Sequence, residues 1–109
     1  MTTTYKVLGQ SAPTANTHTT VYTVPAGNSA VISTITLCNT SANNVTYRLA
    51  VQPANASIST SHYIAYGATL LANDTIALTL GLTMTATDVI TANIGGANCA
   101  VSVFGSEVY

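Results

Sequence analysis

The side chains that could perform acid–base chemistry are few and widely spaced in this chain. The 109 residues include two histidines, His18 and His62, and three carboxylates, Asp74, Asp88 and Glu107. The histidines lack the i+2 or i+4 pairing that metal sites often show, and we interpret both as surface polar residues. Asp74 and Asp88 each begin a predicted strand, where Asp commonly accepts hydrogen bonds from turn backbone groups. The sequence therefore predicts no catalytic residue, no metal site and no cofactor, and we expect the protein not to be an enzyme.

Cys38 and Cys99 are the two cysteines, and both lie in strand-like runs without a C-x-x-C pairing. We interpret them as buried free thiols, with a disulfide between them as the alternative. Four N-x-S/T sequons are present, at Asn39, Asn44, Asn55 and Asn73. No secretory signal begins the sequence, so we treat the sequons as incidental.

The composition excludes several classes of function. Only 5% of the residues are charged, and the formal net charge is −1, whereas a soluble domain usually carries about 25% charged residues. Two basic residues are too few to neutralise the phosphates that nucleic-acid binding requires. No apolar run approaches the roughly 18 residues of a membrane span. Weak electrostatic repulsion between copies favours association, so the composition suits a protein that works inside an assembly.

The local patterns predict an all-β domain. Thr, Val and Ile make up about a third of the residues, and β-branched side chains favour strands. Strand-like runs recur at roughly 8–12-residue spacing with no convincing helix, which predicts an antiparallel β-sandwich of about seven or eight strands. Spacing leaves jelly-roll and immunoglobulin-like topologies both open. We expect Gly95-Gly96 to form a hairpin turn, and the strand from Ala30 to Asn39 to be central and covered on both sides for part of its length.

The sequence predicts that the N-terminal region is an arm separate from the sandwich. A short strand candidate over residues 5–8 is followed by a polar stretch over residues 9–18 with breakers and no periodicity. We therefore divide the chain into an N-terminal arm and linker, residues 1–18, and a β-sandwich domain, residues 19–109. In this hypothesis the arm reaches a neighbouring subunit by strand addition, which makes Tyr5 and Val7 candidate interface residues.

Three further residues are candidates for a subunit contact. Arg48 is the one charge within a strand body; it either pairs with a carboxylate or anchors a contact between subunits. Tyr63 and Tyr66 are candidates because tyrosine is enriched at interfaces; the alternative is that both cap one end of the sandwich.

Several stretches of the sequence resemble small structural proteins of tailed bacteriophages, including phages of cyanobacteria. The resemblance covers most of residues 20–107 and leaves the first 18 unmatched. It rests on strand and turn patterns over residues 22–27 (YTVPAG), 38–41 (CNTS), 46–54 (TYRLAVQPA), 62–66 (HYIAY), 73–83 (NDTIALTLGLT) and 104–105 (FG).

The resemblance implies a virion component without enzymatic activity, assembled in the host cytoplasm. Our preferred placement is a capsid decoration or cement protein that contacts the major capsid protein or other virion proteins, as a homo-oligomer with a trimer favoured. The alternative placement is the neck, baseplate or tail fibre. There the chain could serve as a carbohydrate-binding module for host recognition, with Tyr63, Tyr66 and Asn55 near a shallow sugar site. An unrelated bacterial surface or pilus subunit is a further alternative.

Overall fold

The structure, a computed structural model, describes residues 2–109. Eight strands and two short 3₁₀ turns account for most of them. The 3₁₀ turns lie at Pro53–Asn55 and Thr60–His62, between the fourth and fifth strands. The strands are β1 (Thr3–Ser11), β2 (Thr19–Thr23), β3 (Ser29–Asn39), β4 (Val45–Gln52), β5 (Tyr63–Leu70), β6 (Thr75–Thr85), β7 (Val89–Ile94) and β8 (Cys99–Val108).

The strands form two four-stranded antiparallel sheets that pack as a sandwich. The first sheet has the order β1-β8-β3-β6, and the second has the order β2-β7-β4-β5. The predicted all-β sandwich is confirmed. Every connection except β4–β5 passes from one sheet to the other, and this is the eight-stranded jelly-roll arrangement. The strand order therefore decides between the two topologies that spacing left open.

The core lies between the sheets and follows the alternation of side chains along each strand. Ile35, Leu37, Leu49, Ile94 and Val103 are fully buried there. Tyr47 is also buried, as its position in an alternating strand predicts. Pro53 ends β4, as expected of a residue that cannot donate a ladder hydrogen bond.

Strand β3 is central in its sheet, but it is covered on one side only. Its register shifts between Ile32 and Thr34 against both neighbouring strands, which is a β-bulge. The extra residue moves the alternation by one place, so that Ile32 and Ile35 both face the core while Val31 faces outward and is 43% exposed. The expectation of cover on both faces was wrong. Because of the bulge, the core-facing residues of β3 fall at both even and odd positions, as they would in a strand that is buried on both faces.

The segment predicted as a separate arm is an edge strand of the sandwich. Residues from Thr3 to Ser11 pair with β8 of the same chain from Val108 back to Val101, with one bulge between Val7 and Gly9. The structure thus differs from the division at residue 18, and strand addition to a neighbour is not what positions β1. The polar residues 12–18 remain a connection, which now leads from the first sheet to the second.

Gly95-Gly96 does not close a hairpin, because β7 and β8 belong to different sheets. The chain instead crosses the end of the sandwich close to β4, where the Gly95 N–H donates to the Thr46 carbonyl at 2.7 Å. A Cβ on Gly96 would collide with the Val45 side chain. The two glycines permit this close approach, and Asn98 adopts the positive φ of 64°.

Asn39, at the end of β3, is buried and organises the adjoining loops. Its side-chain amide donates to the Asn43 carbonyl at 2.8 Å and to the Leu71 carbonyl at 3.2 Å. Its side-chain oxygen accepts from the Ser41 backbone N–H at 2.9 Å. A buried amide with these partners is a structural group, so the first sequon is incidental.

The cysteines are free and point to opposite sides of the first sheet. Cys99 is buried in the core, whereas Cys38 is half-buried on the outer face. Asn39 rather than Cys38 is the register partner of Cys99, and neighbouring positions along a strand face opposite ways. Burial raises the pKa of the Cys99 thiol, which keeps it protonated and unreactive. Within residues 2–109, no helix is long and apolar enough to cross a membrane.

Candidate interaction surfaces

The outer face of the first sheet carries four apolar side chains close together, of which three are exposed and one, Phe104, is half-buried. Tyr5 on β1 lies in one cross-strand row with Ser106 and Val31, and Val7 lies in the next outward row beside Phe104. Tyr5 is 83% exposed and Val7 is 49% exposed. Neighbouring strands are about 4.8 Å apart, so these side chains lie on one face within two strand spacings of one another. We call the group Tyr5, Val7, Val31 and Phe104 the apolar strip.

The face around the apolar strip is free of charge. Its other outward positions are occupied mainly by threonine and serine, and none of the side chains described on it is an aspartate, glutamate, lysine or arginine. The outward-facing neighbours of the strip include Thr3, Gln10, Ser29, Thr34, Thr36, Thr79, Thr83, Thr85, Ser102 and Ser106. Such a face costs little to desolvate compared with a charged surface, because its hydroxyl groups are small and neutral. It is therefore suited to being covered by another molecule.

A buried carboxylate fixes the edge strand that carries half of the apolar strip. Glu107 on β8 is 4% exposed. It accepts a hydrogen bond from the Tyr22 hydroxyl at 2.6 Å and pairs with the Lys6 ammonium at 2.7 Å. The hydrogen bond from Lys6, followed by that from Tyr22, holds the pKa of Glu107 below its usual range. Burial and the neighbouring carboxylate raise the pKa of Tyr22. The network of Lys6, Glu107 and Tyr22 thus joins β1 and β8 to β2 of the opposite sheet.

Replacing Glu107 by glutamine is expected to lower the free energy of unfolding at pH 7 by about 2 kcal/mol, since charge-assisted hydrogen bonds are lost. The native pKa of Glu107 is depressed. The wild-type advantage is therefore complete above the unfolded-state pKa of about 4.3, and it disappears as the pH falls through the lower native value. Urea unfolding of both proteins between pH 7 and pH 3 measures the difference.

The matched control for that experiment is Asp74→Asn, which removes a carboxylate from an exposed turn outside the network. Its free energy of unfolding is expected to decrease with falling pH in the same way as that of the wild type. A constant difference between wild type and Glu107→Gln across the whole pH range would contradict the assignment of the decline to Glu107.

A second, chemically different site lies on the outer face of the second sheet. Arg48 on β4 is in register with Tyr66 on β5, and its guanidinium carbon lies 4.2 Å from the centre of the Tyr66 ring. The rings of Tyr63 and Tyr66 meet edge to face, with centroids 4.8 Å apart and an interplanar angle of 83°. These contacts are a cation–π pair and an aromatic pair, and they preorganise the cluster.

The five candidate residues from the sequence thus fall into two groups. Tyr5 and Val7 lie on the first outer face, while Arg48, Tyr63 and Tyr66 lie together on the opposite outer face. The two groups therefore do not form a single site. Asn55, the other residue considered for a sugar site, lies in the first 3₁₀ turn with a φ of 56°.

Val31 and Phe104 belong to the apolar strip and were not among the candidates. Phe104 alternates with Val103 and could have been found from that signal alone. Val31 could not, because the bulge after Ile32 hides which face it occupies.

The remaining charges have structural roles. Asp88 accepts hydrogen bonds from the Ala54 and Thr85 backbone N–H groups at 2.9 Å each, and Asp74 accepts one from Thr75 at 2.9 Å. Their predicted roles at turns are confirmed. Arg48 differs, because no carboxylate in the described part of the chain lies within ion-pair distance of it. Among residues 2–109 no three potential ligands cluster as a metal site would require.

Comparisons with known proteins give little further information. No family model and no curated protein matches the sequence. Among solved structures, the chain is similar to one from the structure of the Gt strain of infectious bursal disease virus, with 11% sequence identity and a TM-score of 0.45. The similarity covers 96% of this chain and 31% of the other, so this chain spans about a third of that protein's length. A likeness of this size identifies neither a family nor a function.

Proposed function

We propose that the chain is a virion structural protein, and specifically a decoration or cement protein that binds the capsid shell through the outer face of its first sheet. The observation that carries the proposal is the apolar strip on a face without charge. An exposed patch of this kind marks an interaction surface. The virion as the place of action rests on the sequence resemblance to phage structural proteins. The jelly-roll strand order agrees with it, but only as a fold-level analogy.

The mechanism in this proposal is mechanical and involves no turnover of a substrate. Each copy binds the assembled shell and not its dispersed subunits, so binding stabilises the assembled state by mass action. Tyr5 and Phe104 supply aromatic contact area, and the surrounding threonine and serine hydroxyls complete a polar rim. The partner is the major capsid protein or another virion protein.

Association of the chain with itself would strengthen this binding. In a trimer, which is the oligomer we favour, three apolar strips contact the shell together. Each contact then raises the effective concentration of the next, so that weak individual contacts add up to stable occupancy. The low net charge of −1 opposes such association little.

The number of copies per purified particle tests the proposal. Quantitative mass spectrometry against labelled peptides of this chain and of the major capsid protein gives that number directly. Occupancy of a symmetric shell requires on the order of hundreds of copies, whereas a neck or tail position requires about a dozen. The first result supports a decoration protein, and the second supports the alternative placement in the neck, baseplate or tail fibre. Absence from the particle would overturn the virion role altogether.

A further inference from the structure

The second outer face contains an open cavity that the proposed shell contact does not use. The cavity has a volume of about 490 Å³ and lies between β5 and the loop that precedes it, lined by Ile58, Ser59, Thr60, Tyr63 and Tyr66. Tyr66 is 63% exposed, so its ring offers apolar surface to the solvent. The edge-to-face contact with Tyr63 limits the freedom of both rings. A rigid aromatic surface beside small hydroxyl groups suits a ligand with apolar and polar faces.

A smaller polar cavity of about 190 Å³ lies on the other side of Arg48. It is lined by Asn16, Thr46, Arg48, Asn93 and Gly95. Asn93 is the register partner of Arg48 on β7, as Tyr66 is on β5. Arg48 therefore lies between an aromatic cavity and a cavity rich in amide and hydroxyl groups.

Arg48 is a half-buried cation without a counter-charge in the described part of the chain. The ion pair found among residues 2–109 is that of Lys6 with Glu107. The Tyr66 ring holds the guanidinium in place through its face while leaving the planar N–H donors without an anionic partner. Guanidinium groups match carboxylates through two parallel hydrogen bonds. The charge is thus placed to receive an anionic group from outside the chain.

We propose that this face binds an acidic saccharide, a sugar chain that carries carboxylate groups. The carboxylate pairs with Arg48, the apolar C–H face of a sugar ring packs on Tyr66 and Tyr63, and sugar hydroxyls exchange hydrogen bonds with Asn93 and Ser59. A single cation among neutral amides and hydroxyls suits one carboxylate per sugar better than the denser charge of a phosphorylated ligand. The site goes beyond the proposed shell contact, because it lies on the opposite side of the sandwich and stays open when the first face is covered.

Titration calorimetry with the full chain tests the site. The probes are two carboxylated oligosaccharides, an oligogalacturonate and an oligosialic acid, and one neutral galactose oligomer of matched length. We expect at least one acidic probe to bind about tenfold or more tightly than the neutral one, which corresponds to the loss of one charge-assisted contact. Binding of neither acidic probe at millimolar concentration, or equal binding of the neutral one, overturns the proposal. Competition by inorganic phosphate at equal concentration also overturns it, since the site would then be a general anion site.

Variants assign the binding to these residues. Arg48→Gln is expected to reduce the affinity for the acidic probe to that of the neutral one, and Arg48→Lys to restore it only in part, because lysine lacks the planar fork. Tyr66→Phe, which keeps the ring, is expected to bind as the wild type does, whereas Tyr66→Ala is expected to lose binding. Tyr109→Ala removes an exposed tyrosine ring that belongs neither to this site nor to the apolar strip; it is the matched control and is expected to bind the acidic probe as the wild type does. Unchanged affinity in Arg48→Gln, with thermal unfolding showing a folded protein, would contradict the assignment.

Discussion

Replacing Val31 by lysine is expected to abolish most of the binding of this chain to shells from which it has been stripped. Val31 lies within the apolar strip and is half exposed, so the free domain accommodates a lysine without loss of stability. In the complex the ammonium is buried against an apolar partner without a counter-charge, which is strongly unfavourable. A central interface residue of this kind is worth about 2 kcal/mol or more, so the affinity is expected to fall about 30-fold or further.

The matched control adds the same charge elsewhere. Thr20 is exposed on β2 of the opposite sheet, and Thr20→Lys is expected to bind as the wild type does. Pelleting of stripped shells with labelled protein over a range of concentrations measures all three affinities. An equal loss in both lysine variants would indicate an effect of net charge, and no loss in Val31→Lys would contradict the use of this face.

Gly105→Ala is expected to destabilise the fold by about 3 kcal/mol or more, which is among the largest effects for a single methyl group. Gly105 on β8 is in register with Ile32 of β3, beside the bulge. A Cβ at this position would overlap the Val31 carbonyl oxygen and crowd the Ile32 Cα, both of which are backbone atoms of a central strand. Backbone atoms held by two ladders cannot move aside as a flexible side chain can.

Thermal unfolding followed by circular dichroism measures this effect, and a loss of this size lowers the Tm by on the order of 15 °C in a domain of this length. Gly81→Ala on the edge strand β6 is the matched control, because a Cβ there meets no atom within 4 Å. Its stability is expected to stay within about 0.5 kcal/mol of the wild type. Equal melting temperatures for the two variants would contradict the close approach of β3 and β8.

The sequence was sufficient to predict the fold class but not the chain connections. β-branched residues and regular alternation predict strands, and Tyr47 and Leu49 are buried as that pattern requires. Partners of each strand depend on contacts between residues distant in the sequence, which local patterns do not contain. Gly95-Gly96 illustrates the limit, since glycine permits both a tight hairpin and a close crossing over β4, and only the position of β8 decides between them.

The candidate surfaces were predicted only in part, because local sequence patterns do not show which distant residues come together. Tyrosine enrichment at interfaces led to Tyr63 and Tyr66, and a charge within a strand body led to Arg48, but nothing local indicated that the three form one cluster. The segment from Thr3 to Ser11 looked detached because a polar stretch follows it. Its tie to the sandwich is the Lys6–Glu107 ion pair and the ladder with β8, which joins residues about a hundred positions apart.

Hydroxyl-radical footprinting of assembled particles tests most directly whether the uncharged face of the first sheet is the covered one. Tyr5 is 83% exposed in the free chain and is expected to react readily there, and Tyr66, 63% exposed on the opposite face, is the internal reference. In particles, the modification of Tyr5 and Phe104 relative to Tyr66 is expected to fall by about tenfold, since the centre of a stable interface excludes water. Unchanged modification of Tyr5 and Phe104 in particles that contain the chain would contradict the account.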